Sequence, residues 1–170
     1  MDKPQKCRKV AVFISNPKDT YSGGRYFGLM IAEVLAEAGL EVHYVTNNLP
    51  VFWSDFQVFK NHDSLKVVYG WQEAKASLPD DLDVIYVVPG TSDNTFYDAA
   101  LECSLQSKAR ITLVNFESEN WFNEYAPVPK PSKNWAQWRR IASAANSVMS
   151  IADEGTKYAK AYYKNVVTVF

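Results

Sequence analysis

The sequence predicts an α/β domain of three layers, with a doubly wound, mostly parallel sheet of about seven strands between helices. Two observations predict it. Strand-like and helix-like runs alternate along nearly the whole chain, at a spacing that implies right-handed crossovers between parallel neighbours. The first strand run is nearly all apolar, as in a central strand covered on both faces, where apolar and polar residues no longer alternate.

The elements follow in order. Lys9 to Ser15 is the first strand, closed by Asn16-Pro17. After a loop and Ser22-Gly23-Gly24, apolar residues at Phe27, Ile31, Val34, Leu35 and Ala38 fall at helical spacing. Gly39 ends that helix as a left-handed cap. Glu41–Thr46, Leu65–Tyr69 and Asp83–Val88 are the next strands. Asp93 to Lys108 is a helix that Ser92 or Asp93 is placed to cap, and Arg110–Asn115 is the fifth strand. A helix over 134–146, a strand Ser147–Ile151, a helix Ala152–Tyr163 and a last strand Val166–Phe170 complete the series. Two irregular stretches, Asn47–Ser64 and Asn115–Lys133, exceed the usual connection of about 4–6 residues and are rich in aromatics. Those rings either serve a site or pack the loops onto the body.

Composition narrows the function. The 170 residues fit one domain, and 47% hydrophobic content is enough for a sizeable core. A formal charge of −1 gives no global field to attract nucleic acid, so none is expected as a partner. The polar N-terminus lacks the apolar core of a signal peptide, and no apolar run approaches the roughly 20 residues of a membrane span. The expected location is the cytoplasm, with at most peripheral membrane contact. Cys7 and Cys103 make neither a disulfide framework nor a metal knuckle, and no metal site is expected.

Doubly wound sheets bind ligands where strand order reverses, at the carboxyl ends of the strands. The residues there are the candidates. Gly23 and Gly24 permit close backbone approach, beside free helix N–H groups that attract an anion. With Gly28 they miss the G-x-G-x-x-G spacing, and Thr46-Asn47-Asn48 stands where a dinucleotide site would carry an acid, so no tightly bound cofactor is expected. Ser92, Asp93 and Asn94 either hold ligand hydroxyls or cap the helix. Glu117, Glu119 and Trp121, after the fifth strand, suit a sugar, whose hydroxyls pair with carboxylates and whose apolar face stacks on indole. Glu117 is the catalytic candidate; its alternative role is a carboxylate at a helix start. His43 lies inside a strand and is read as structural, while His62 has no partner visible in sequence.

The strand Val10 to Ser15, Tyr21-Ser22-Gly23-Gly24, the helix ending Leu35-Ala36-Glu37-Ala38-Gly39, the strand Glu41–Thr46 and Val114-Asn115-Phe116-Glu117-Ser118 together resemble the N-terminal domain of GT-B-fold glycosyltransferases of the retaining family-4 type. That resemblance implies a Rossmann-like domain over 1–170 that holds the acceptor, with a second, donor-binding α/β domain expected after residue 170. It implies a nucleotide-diphosphate sugar as co-substrate and a glycan or lipid-linked acceptor, with Gly23-Gly24 facing the donor phosphates. Relatives often carry His-Asp where this chain has Phe116-Glu117, so a histidine role is not expected there. Two other readings stay open: a self-contained nucleotide- or dinucleotide-binding oxidoreductase domain, and a non-catalytic flavodoxin-like binding module.

Overall fold

The computed structural model describes residues 8–54, 59–91, 93–115, 140–150, 153–162 and 165–168. Seven strands form one sheet: β1 (Lys9–Ile14), β2 (Glu41–Thr46), β3 (Lys66–Tyr69), β4 (Val84–Val88), β5 (Arg110–Asn115), β6 (Ser147–Ser150) and β7 (Val166–Thr168). Their order is β3-β2-β1-β4-β5-β6-β7, and every neighbouring pair is parallel. The helices are α1 (Gly23–Glu37), α2 (Trp71–Ser77), α3 (Asn94–Ser107) and α4 (Asp153–Tyr162); residues 140–144 are also helical. Among the described residues no helix is long and apolar enough to cross a membrane.

Two apolar cores lie on opposite faces of the sheet, which explains why the strands read as apolar runs. Ala11 and Phe13 of β1 belong to one core with Phe96 and Ala100 of α3. Val10, Val12 and Ile14 belong to the other, with Leu29 and Ala32 of α1. Alternate residues of one strand thus enter two separate cores. Free Cys103, buried on α3, belongs to the first; burial pushes its thiol up to about 11, so it is an inert packing residue.

The packed face of α1 differs from the apolar series seen in sequence. Gly28, Leu29 and Ala32 are buried, while Phe27 and Val34 are exposed. The helix packs through its smallest residues because a Cβ on Gly28 would lie 2.2 Å from Ile14 Cδ1 and 3.5 Å from Val88 Cγ2. It ends as expected: Gly39 has φ +83°, with Gly39 N donating to Ala36 O and Leu40 N to Leu35 O.

Several bounds shift by a residue or two. Asp83 stands before β4 and not in it, because its carboxylate accepts from the backbone N–H of Arg8 and Lys9 at 2.7 and 3.0 Å. The helix expected to run to 146 stops being helical after 144, since Asn146 pairs both its N–H and its side-chain oxygen with Ile111 at 2.8 Å. Helix α2 had no counterpart in the sequence reading.

Candidate functional site

Strand order reverses between β1 and β4: the chain leaves β1 through α1 to β2 on one side, while β4 pairs with the other side. Connections that diverge there open a crevice at the carboxyl ends of the strands. A cleft of about 430 Å³ occupies this point, lined by Ser15 to Lys18 after β1, Ser22 and Arg25 at the start of α1, Asn47 and Asn48 after β2, and Gly90 and Thr91 after β4. None of these residues is acidic.

One wall attracts anions. Helix α1 has 15 residues and no acidic residue in its first turn, and its N-cap Ser22 makes no side-chain capping bond. Arg25 N and Tyr26 N both donate to Ser22 O, whereas the N–H groups of Gly23 and Gly24 have no acceptor among the described residues. Exposed amides at a helix N-terminus carry partial positive charge. A Cβ on Gly23 would meet nothing within 4 Å, so glycine here leaves the amides uncovered without being needed for packing. Lys18 is exposed and has no ion pair among the described residues.

Arg25 adds a buried guanidinium. Its Nη1 donates to Pro89 O and its Nη2 to Gly90 O, each at 3.0 Å, which ties α1 to the end of β4. Gly90 makes this possible: its φ is +127°, and a Cβ there would sit 2.6 Å from Arg25 Nη2.

The opposite wall is built of amides. Asn16 is 1% exposed, and its Nδ2 lies 2.9 Å from Thr46 Oγ1, 2.9 Å from Asn48 O and 3.1 Å from the Tyr44 hydroxyl. Its backbone N–H donates to Asn47 Oδ1 at 2.8 Å, and Asn48 Nδ2 returns a bond to Asn16 O at 3.1 Å. Asn16 Oδ1 is buried and has no hydrogen-bond partner among the described residues. Burial raises the Tyr44 phenol far above its ordinary range, so it stays neutral.

The sequence candidates distribute unevenly around this cleft. Gly23 and Gly24 open α1 between Ser22 and Arg25, which line the cleft, but are not themselves among its lining residues. Asp93 is the N-cap of α3: Oδ1 accepts from Thr95 N and Oγ1 at 2.9 and 2.7 Å, and Oδ2 accepts from Trp71 Nε1 at 3.0 Å. Burial raises its carboxyl, but those bonds more than offset that and hold it below the usual carboxylate range. Asn94 is the first residue of α3. Ser92, Glu117, Glu119 and Trp121 lie outside the described residues. Asn16, Lys18, Arg25, Asn47 and Asn48 were not singled out from sequence; the available signal was polar residues directly after two strands.

No protein-family model matches the chain, and a search of curated proteins finds no significant match. The chemistry of the site therefore rests on its own geometry. A cleft lined by cations and carboxamides together can hold an anion and hydroxyl groups.

The histidines are accounted for elsewhere. His43, within β2, places Nε2 3.1 Å from Glu41 Oε1, and burial pulls its imidazole below the ordinary value. His62 stands between two carboxylates, with Nδ1 3.8 Å from Glu33 Oε1 and Nε2 3.3 Å from Asp63 Oδ1. It thus has the neighbours that sequence alone did not supply. Among the described residues no group of three His, Cys, Asp or Glu side chains is placed to hold a metal ion.

Proposed function

We propose that this domain is the acceptor-side half of a glycosyltransferase that takes its sugar from a nucleotide-diphosphate sugar, with the diphosphate drawn to the start of α1. The observation that carries the reading is the cleft at the strand-order reversal, lined by Lys18, Ser22 and Arg25 with no acidic residue among its described lining. It lies beside the first turn of α1, where the Gly23 and Gly24 amides have no acceptor among the described residues. Two negative charges gain most where cations and helix amides face them together. Transfer itself needs a second, donor-binding domain, with Glu117 as the carboxylate candidate near the reacting sugar. A cytoplasmic location goes with this reading.

The test is calorimetric titration of UDP-glucose, GDP-mannose and NADH into the chain and into Lys18→Ala. The expected result is saturable binding of a nucleotide sugar, weakened about tenfold in the variant, which equals about 1.4 kcal/mol. Binding of NADH alone would move the chain to the oxidoreductase class. Binding of none of the three would remove the placement of the diphosphate at the start of α1.

A further inference from the structure

We propose that the Asn16–Asn47–Asn48 amides are the hydroxyl-reading end of the switch-point cleft, so that the ligand seated there is a phosphorylated polyol. The inference rests on the cleft being a phosphate site and names what lies beyond the phosphate.

The orientation of the Asn16 carboxamide is fixed by chemistry. Asn48 O can only accept, so the atom 2.9 Å from it must be the Asn16 nitrogen. Thr46 Oγ1 donates its proton to Asn48 O at 2.6 Å and therefore accepts from Asn16 Nδ2. Flipping the amide would set two acceptors against each other. Asn16 Oδ1 is consequently held as an acceptor with no donor among the described residues, in a residue 1% exposed that lines the cleft. Leaving a buried acceptor unpaired is costly, and a ligand that brings a donor recovers that cost.

Neighbouring Asn47 supplies the complement. Its Oδ1 accepts from Asn16 N, while its Nδ2 has no acceptor among the described residues and the residue is exposed. An unpaired acceptor and an unpaired donor thus sit on adjacent amides. An anionic oxygen cannot satisfy Asn16 Oδ1, because it carries no proton. A hydroxyl can donate to Oδ1, and the next hydroxyl on the same ring can accept from Asn47 Nδ2. Oδ1 is buried, so a ligand hydroxyl reaches it only when the side chains around it move aside. The cleft, at about 430 Å³, lies toward the small end of ligand pockets, a size that suits a sugar phosphate.

The experiment compares glycerol 3-phosphate with propyl phosphate, and glucose 1-phosphate with inorganic phosphate, by titration into the full chain and into Asn47→Ala. The polyol phosphates are expected to bind at least tenfold more tightly than their partners that lack hydroxyls. Asn47→Ala should cut that preference to less than threefold while leaving the affinity for inorganic phosphate unchanged. Equal binding of glycerol 3-phosphate and propyl phosphate by the unmodified chain overturns the inference and leaves the phosphate site standing. A preference that survives in Asn47→Ala overturns the assignment to these amides. If no phosphate compound binds, the reading of the cleft fails and the inference with it.

Discussion

The two ends of the sheet are built on opposite terms. At the amino ends of the strands, polar groups are committed to holding strands together. Asp83 takes the backbone N–H groups of Arg8 and Lys9, Lys9 pairs with Asp81, and Glu41 accepts from Lys66 at 2.7 Å and faces His43. At the carboxyl ends, Asn16, Thr46, Asn115 and Ser150 are buried, and the carboxamide oxygens of Asn16 and Asn115 have no partner among the described residues. Both ends are polar, but the unpaired carboxamide oxygens lie at the carboxyl end, while the buried and likewise unpaired Glu33 Oε1 and His62 Nδ1 belong to α1 and to the turn before β3. One end uses carboxylates to tie strands together, and the other places amides in the lining of the cleft.

Three measurements would break or sharpen that contrast. The largest effect is expected from Gly28→Val, which forces atoms into the space filled by Ile14 and Val88. Overpacking of this kind costs about 3 kcal/mol, and here it also displaces the start of α1. Chemical denaturation should show the loss, and phosphate affinity should fall with it. Unchanged affinity would mean that the cleft does not depend on how α1 sits.

Asp83→Ala comes next. Loss of two backbone bonds to a partly exposed carboxylate should cost about 1–2 kcal/mol without changing ligand affinity. The Arg8 and Lys9 N–H groups hold the Asp83 carboxyl below its ordinary range. Its folded value is thus below its unfolded value, so its contribution is full above about pH 4 and is lost as pH falls further. The gap between wild type and variant should therefore narrow from pH 7 to pH 3. An effect on ligand binding would blur the division between the two ends.

The smallest effect concerns His43. Burial, opposed by Glu41, lowers its imidazole below the ordinary value. Between the lowered value and about 6.5 the unfolded chain binds the proton more readily, so stability falls as pH drops below about 6.5. The contribution should be under about 1 kcal/mol, and His43→Gln should flatten that part of the stability profile. A slope that survives the substitution would assign it to another group.

Much of the fold was legible because its signals are local. Strands buried on two faces read as apolar runs, and Gly39 marked the end of α1 because few other residues tolerate its φ. Helix α2 was not legible: it has seven residues, only Ala74 is buried, and it starts at Gly70 with φ +88°. The inward face of α1 was also hidden, because the signal that sets it is a glycine and not a run of large apolar residues. The candidate site was legible only in part. Gly23 and Gly24 stand out in any reading, but Arg25 gains its meaning from Pro89 and Gly90, 64 and 65 positions away. Asn16 likewise acquires its unpaired oxygen only once β1 and β2 lie side by side. Asp93 combined both cases: its place before a helix was visible, while its bond to Trp71 was not.

Gly28 has one more consequence. The residues that face the cleft sit in short loops, which makes them look portable to another α/β scaffold. They are not independent of α1, because that helix, which carries Arg25, meets β1 closely further along, where Gly28 rests on Ile14. A transplant that carried the loops and left an alanine at that position would set a Cβ 2.2 Å from Ile14 Cδ1, so the Ile14 side chain would have to turn away or the helix lift. Anyone grafting this site must take the helix–strand contact with it.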